Sequence, residues 1–305
     1  MPITEKQREN RRKHIGSSDL PALLGCDPRG KNAYDLWLEK TGRLDESEPN
    51  QAMLAGTHFE DGVRQWASDE LGPMIRNQYR AFSDAYLGAN IDAIVRETGE
   101  PVEVKTSGLF GPVTADWGEF LTDCVPDNVI LQAHAHMLCT EKDVCHVPVF
   151  LGGRGFGRYM VRRSDKLVLL IIEKCKSFWE CCVEADVAPA NEIPCLDVVR
   201  RARRLPNSVI SIPASLRLEA EAAAALRKMA EQRDEQAKAA ILAAMGDAEA
   251  ANYDDGEGAV TFYEQSRRSI DTKRLQAEEP ELAAKYGKET RYRVLRTKKG
   301  SVHVE

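Results

Sequence analysis

Apolar and polar positions alternate along residues 87–105 in the manner of a strand hairpin. Ile91, Ala93 and Val95 interleave with Asp92, Ile94 and Arg96; beyond Glu97-Thr98-Gly99-Glu100, Val102 and Val104 interleave with Glu103 and Lys105. With Thr98-Gly99 as a two-residue loop, Val95 falls opposite Val102 and Asp92 opposite Lys105. This pattern gathers Asp92, Glu103 and Lys105 on one face, and Ala93, Val95, Val102 and Val104 on the other. The apolar face has a core to join. The charged face needs a different reason to exist.

Elsewhere the helical period dominates. Residues 20–24 predict a short helix with Ser18 as its N-cap, Pro21 in the first turn and Gly25 as the stop. Residues 34–40 place Tyr34, Trp37 and Leu38 at helical spacing before Thr41-Gly42. Residues 53–71 predict a longer helix with Phe59, Val63, Trp66 and Ala67 inward and Glu60 at the edge of that stripe. The Gly-, Pro- and polar-rich run 106–127 reads as a loop of the kind that borders a site. A helix over 128–140 follows, carrying Gln132; His134 and His136, two apart, do not share its face and make poor joint metal ligands. Residues 146–151 and 155–163 form a second hairpin through Gly152-Gly153, and 165–185 an amphipathic helix.

These elements divide the chain into a first domain over 1–190, a proline- and arginine-bearing linker over 191–213, and a C-terminal module over 214–305. The module combines a long helix over 216–245 with strand-like segments at 259–263, 292–295 and 302–304.

Composition narrows the classes. A 305-residue chain that is 43% hydrophobic can bury a substantial core. No apolar run approaches membrane-spanning length, and the charged N-terminal segment lacks the apolar stretch of a signal peptide, so a cytoplasmic setting is expected. Eight irregularly spaced cysteines read as reduced, mostly buried thiols. An iron-sulfur alternative in Cys175, Cys181, Cys182 and Cys195 lacks a Cys-x-x-Cys pair. A net charge of −6 argues against a surface that coats nucleic acid throughout, leaving the local basic segments 8–13, 200–204 and 288–299 as candidate phosphate contacts.

Two carboxylates and an amine on one strand face suit a hard cation such as Mg²⁺ or Mn²⁺, which polarises a phosphodiester and activates water. Lys105 would orient or deprotonate that water, its amine pKa falling on burial. The bland alternative is a solvated face with a cross-strand ion pair. The helix start at Ser18, with arginines before it, suits a phosphate; the alternative is an ordinary cap, and Asp19 opposes an anion there.

Taken in order, Arg11, Ile15-Gly16-Ser17-Ser18-Asp19, Leu36-Trp37-Leu38-Glu39-Lys40-Thr41-Gly42, Gly56 and Glu60, Asp92, Glu103-Val104-Lys105 and Gln132 resemble the YqaJ-type viral recombinase family, over roughly residues 8–189. That family groups with lambda-type exonucleases among the restriction-endonuclease-like nucleases. The resemblance implies an α/β (α+β) fold, a mixed central sheet flanked by helices, here with a C-terminal helical and small β appendage. By the same resemblance Asp92, Glu103, the Val104 carbonyl and Glu60 would hold Mg²⁺ (or Mn²⁺), Lys105 would position the attacking water, and Gln132 would orient the water or the lysine. Arg11 and Ser18, with Ser17 beside them, would hold a terminal 5′-phosphate. The implied activity is 5′ to 3′ digestion of one strand of linear duplex DNA in the host cytoplasm. The implied partners are double-stranded DNA ends, a single-strand annealing protein and further copies in a homo-oligomeric ring. Two departures stand out: Ala93 replaces a frequent glycine, and Ala133-His134 replaces a glutamine-rich continuation. An endonuclease of the same fold and a non-catalytic DNA-end-binding protein are the alternatives.

Overall fold

A computed structural model describes residues 12–44, 51–109, 111–190, 192–204, 208–266 and 268–287. The chain divides into two compact units, Met1–Arg204 and Leu205–Glu305.

The first unit contains, in order, β1 (Ile15–Gly16), α1 (Leu20–Leu23), α2 (Ala33–Lys40), α3 (Gln51–Leu71), β2 (Met74–Phe82), β3 (Leu87–Val95), β4 (Pro101–Val102), β5 (Lys105–Ser107), α4 (Asp127–Thr140), β6 (Val144–Leu151), β7 (Gly155–Arg162), α5 (Asp165–Phe178) and α6 (Leu196–Arg201). The strands form one seven-stranded mixed sheet flanked by helices. Its organising strand is β3. On one side β2 pairs with it antiparallel along its whole length. On the other side β1 pairs in parallel at Leu87 and Gly88, while β4 pairs antiparallel at Ala93 and Ile94.

Between those two partners the sheet splits. β4 and β5 keep one parallel offset to β6, Val102 opposite His146 and Lys105 opposite Val149, and the Glu103 amide donates to the His146 carbonyl at 2.9 Å. The chain from Pro101 to Ser107 is therefore one extended run that stays with β6 and leaves β3 after Val102. Residues 90–92 of β3 face the resulting gap.

The hairpin is present, but not in the expected register. Val95 closes the turn by donating to the Glu100 carbonyl at 2.9 Å, and Gly99, at φ +72, donates back to the Val95 carbonyl at 2.8 Å. The loop is thus Arg96 to Gly99, Val102 lies opposite Ala93, and Asp92 does not face Lys105. The slip is an even number of residues, so it changes partners without turning side chains over. Ala93, Val95, Val102 and Val104 accordingly pack together with Val63 of α3.

Other expectations meet the structure unevenly. The helix over 165–185 appears as α5 continued by a wider π turn, Trp179–Glu184. β2 was not foreshadowed: an edge strand that exposes Arg76, Tyr79 and Arg80 shows no apolar alternation. Part of the expected 191–213 linker is docked on the first unit. The Cys195 amide donates to Asp35, Val198 is buried, and Leu44 bridges to Ala202.

The second unit consists of α7 (Ala214–Met245), the hairpin β8 (Ala250–Asn252) with β9 (Ala259–Thr261), α8 (Thr272–Glu278) and α9 (Pro280–Tyr286). Only Met245 of α7 is buried, and its surface carries ion pairs one turn apart, Arg217–Glu221 and Lys238–Asp234. The strands expected at 292–295 and 302–304, and the basic run 288–299, lie outside the described residues. All eight cysteines are free thiols, but only Cys139, Cys145 and Cys175 are buried, fewer than expected. No helix among the described residues is long and apolar enough to cross a membrane.

Candidate active site

The split in the sheet decides which polar groups meet. Where the chain parts from β3, the Val104 amide loses a strand partner and donates instead to Asp92 Oδ2 at 2.8 Å. Asp92 is thereby held beside Glu103, and Lys105 reaches back so that its Nζ donates to Glu103 Oε1 and to Gln132 Oε1, each at 2.5 Å. Gln132 comes from α4. That helix sends Val129, Ala133 and Met137 into one apolar cluster and Leu131, Ala135 and Leu138 into another, which leaves Gln132 and His136, one turn apart, in the seam. His136 is completely buried, with Nδ1 at 3.3 Å from Glu103 Oε2 and Nε2 at 3.2 Å from Ser17 Oγ.

Asp92, Glu103, Lys105, Gln132 and Ser17 border a cleft of about 240 Å³, whose walls also include His14, Gly16, Ser18, Asp19, Gly88 and Asn90. Gly88 is needed for close approach: a Cβ there would lie 2.5 Å from His14 Cδ2 and 2.7 Å from Tyr79 Oη.

The charges are unevenly compensated. Burial first, and the Glu103 charge second, push the Asp92 carboxyl well above the usual aspartate range, against the Val104 amide and Lys105; Glu60 adds to the rise. Burial also acts to raise Glu103, but Lys105 and His136 outweigh it and the net shift is downward. For Lys105, burial favours the neutral amine, yet Glu103 and Asp92 prevail and its pKa is raised. The expected fall on burial is therefore outweighed: the carboxylates of Glu103 and Asp92 hold Lys105 as an ammonium. Burial lowers His136, which is neutral at ordinary pH.

The opposite wall is the turn after β1. Ser18 is not a helix N-cap as expected; it sits inside a 3₁₀ turn, Ser17–Asp19, whose preceding amide at Gly16 donates to Asp19 Oδ2 at 2.7 Å. Lys40, at the end of α2, donates to the same oxygen at 2.6 Å. The run 36–42, to which periodicity assigned only core residues, thus anchors the cleft wall.

The sequence candidates separate by position. Asp92, Glu103, Lys105, Gln132, Ser17 and Ser18 converge on the cleft. Val104 is buried behind it and reaches Asp92 through its amide. Glu60 is not in the lining; its carboxylate is paired with Arg64, one turn along α3. Arg11 lies outside the described residues. His134 is structural, its Nε2 accepting from the Ser164 amide at 3.0 Å. Among the described residues no three His, Cys, Asp or Glu side chains form a metal-holding group, which removes the iron-sulfur alternative and leaves Glu60 apart from Asp92 and Glu103. His136, Lys40 and Asp19 were not singled out as site residues by the sequence reading. For His136 the available signal was its four-residue spacing from Gln132.

A known family and several known proteins resemble this arrangement. Residues 8–143 match the YqaJ-like viral recombinase domain. The Bacillus subtilis (strain 168) "Uncharacterized protein YqaJ" is 26% identical, with 93% of this chain and 90% of that protein covered. Two solved structures share the sheet-and-helix arrangement loosely. An alkaline exonuclease, LHK-Exo, from Laribacter hongkongensis is 19% identical, with 60% of this chain and 94% of that chain covered and a TM-score of 0.46. A phage related exonuclease from Haemophilus somnus 129PT is 12% identical, with 58% and 99% covered and a TM-score of 0.41. Structural likenesses this loose assign no chemistry by themselves. The family match spans β1 through α4 and so includes every residue of the cleft.

Proposed function

We propose that the first unit is a divalent-metal-dependent exonuclease that digests one strand of linear duplex DNA from its 5′ end. One observation carries this reading. Half-buried Asp92 and buried Glu103 both line an open cleft, the Lys105 ammonium is bound to Glu103, and Asp92 remains short of positive partners. Hard carboxylate oxygens in such a deficit fit Mg²⁺ or Mn²⁺, and Asp92 and Glu103 would hold the ion. When bound, that ion supplies Lewis-acid polarisation of the phosphodiester and a more acidic water.

The remaining work falls to the chain itself. Lys105, fixed by Glu103 and Gln132, offsets negative charge developing on the phosphate, and Gln132 sets the direction of that ammonium. Ser18, on the turn across the cleft, together with Arg11, is assigned to the terminal 5′-phosphate. A single-strand annealing protein as recipient of the exposed strand, and a ring of copies around the duplex, complete the proposal.

The test uses linear duplexes labelled at either end, with and without a 5′-phosphate, alongside closed circles, in Mg²⁺ and then in excess chelator. Early release of the 5′ label, stimulation by the phosphate, intact circles and reversible arrest by chelator are expected. Cleavage of closed circles would turn the assignment to an endonuclease. Tight binding of ends with no turnover in any divalent metal would turn it to a DNA-end-binding protein.

A further inference from the structure

On the side of the sheet that α3 covers, the β6–β7 edge carries aromatic rings and arginines that no step above uses. Along β7, Gly157, Tyr159 and Val161 are buried toward α4, so Phe156, Arg158 and Arg162 lie on the α3 side. Trp66 of α3 stacks on Phe156 with 5.6 Å between ring centroids. Phe156 meets Phe150 of β6 edge-on at 5.1 Å, and Phe150 stacks on Phe59 of α3 at 5.9 Å. The four rings form one run. A packing cluster hides its rings, yet Phe59 and Phe156 are each 45% exposed, and Trp66 is half-buried where Trp37, Trp117 and Trp179 are buried.

The arginines beside these rings are uncompensated. Arg163 pairs with Asp165 at 3.0 Å, and Arg154 donates to the Trp117 and Gly118 carbonyls. Arg158 and Arg162 have no carboxylate partner among the described residues. Free guanidinium groups next to open rings suit a chain of phosphates with flat, unpaired bases, which is single-stranded nucleic acid. A duplex hides its base faces. A second copy of this chain fits poorly, because β7 is a sheet edge and two-fold pairing of such edges would set arginines against arginines. The face also adjoins the strand that serves the cleft: Lys105 enters the cleft from β5, and the next residue, Thr106, lies opposite Phe150. Beyond it Thr106, Ser107 and Gly108, with Gly56 of α3, line a hollow of about 290 Å³.

We propose that this face binds single-stranded DNA outside the cleft, with bases extending the stack at Phe59, Phe156 and Trp66 and phosphates taken by Arg158 and Arg162. Its use, holding the strand that digestion leaves intact, rests on the nuclease reading. The binding itself does not.

The test measures binding to the full-length protein in excess chelator, using an oligothymidylate, a blunt duplex and an abasic strand of equal length. Oligothymidylate should bind best and quench Trp66 fluorescence, and Trp66→Phe should remove the quench while keeping most of the affinity. Phe156→Leu should weaken binding about five- to hundredfold, the range for one stacked base, and leave the abasic strand unaffected. Arg158→Ala and Arg162→Ala should each lower the slope of log affinity against log salt by about 0.7. In Mg²⁺ the same variants should cleave short duplexes at the wild-type rate and release long ones sooner.

Unchanged oligothymidylate affinity in Phe156→Leu, or an abasic strand held as tightly as oligothymidylate, overturns the proposal. So do arginine variants that alter the sedimentation of the protein and not its affinity, since the face would then join copies of the chain. Should Phe156→Leu not fold, the arginine variants decide, and an unchanged salt slope counts against the proposal. A wild type that binds single strands through these residues but cleaves no DNA ends the nuclease reading and leaves this one standing; cleavage with binding indifferent to every variant does the reverse.

Discussion

Two buried charge clusters face each other across the cleft, and they are built on opposite plans. On the β1 side, Lys40, with only 4% of its side chain exposed, pairs with Asp19 at 2.6 Å. On the β5 side, two carboxylates, Asp92 and Glu103, share one ammonium from Lys105. The first cluster joins a cation to a carboxylate, and its work is to hold the turn through the Gly16 amide. The second has more carboxylate than ammonium, which costs stability and is the feature on which the proposed cation site rests. A buried ion pair maintains shape, whereas a buried imbalance is a binding site waiting for its counter-charge.

Substitutions should separate these roles. The largest effect is expected from Lys105→Ala, which should slow cleavage by about 10²–10³-fold, as for loss of a single charge-stabilising donor, while circular dichroism shows the fold retained. Wild-type rates in that variant would place the chemistry elsewhere.

Lys40→Ala should act on the other ledger. It removes the ammonium from Asp19 at the cleft wall and should cost about 2–3 kcal/mol in urea unfolding, below the ~3–5 kcal/mol of a fully buried pair because Asp19 retains some solvent contact. An unchanged unfolding midpoint would mean that the β1 turn stands without its ion pair.

Asp92→Asn probes the imbalance itself. Because the folded state raises the Asp92 pKa, its contribution favours folding below the ordinary aspartate value and is lost as pH rises through the raised one. At neutral pH, without metal, the asparagine variant should therefore melt higher than wild type, by roughly 2–4 °C for each kcal/mol of repulsion removed. It should also lose the Mg²⁺-induced stabilisation expected of the wild type. A lower melting temperature in that variant would contradict the deficit at this cluster.

The smallest effect is expected at Glu100, a third carboxylate whose partners are sufficient. Burial acts to raise its pKa, but hydrogen bonds from His146, at 2.9 Å, and from Thr98 hold it below the usual range. A depressed acid stabilises the fold above its unfolded pKa and loses that contribution as pH falls through the folded value. Glu100→Gln should cost less than about 1 kcal/mol at pH 7, with the difference from wild type vanishing in acid, as unfolding curves at the two pH values would show.

Much of the charged face was legible because strand periodicity has a period of two. Any hairpin register of even offset puts Asp92, Glu103 and Lys105 together and sends Val95, Val102 and Val104 to the other side. The register itself was not legible, since the choice between a two-residue loop and the observed Arg96–Gly99 turn depends on how β4 is drawn toward β6. The edge strand β2 gave no signal because its exposed residues are not sorted by face. His136 looked unremarkable beside His134; nothing in a helix written on its own says that one histidine meets a loop 119 positions earlier in the chain and the other a backbone amide.

By itself the sequence determined the two faces of the hairpin, the helices that flank it and the acids, lysine and glutamine available to a metal site, because those follow from local periodicity and residue chemistry. Tertiary structure alone decided that the sheet opens after Val102, that Lys40 holds Asp19 and that His136 is buried between Ser17 and Glu103. Such pairings join residues distant in the chain, and they are fixed only when the helices and strands pack and each buried polar group must find a partner.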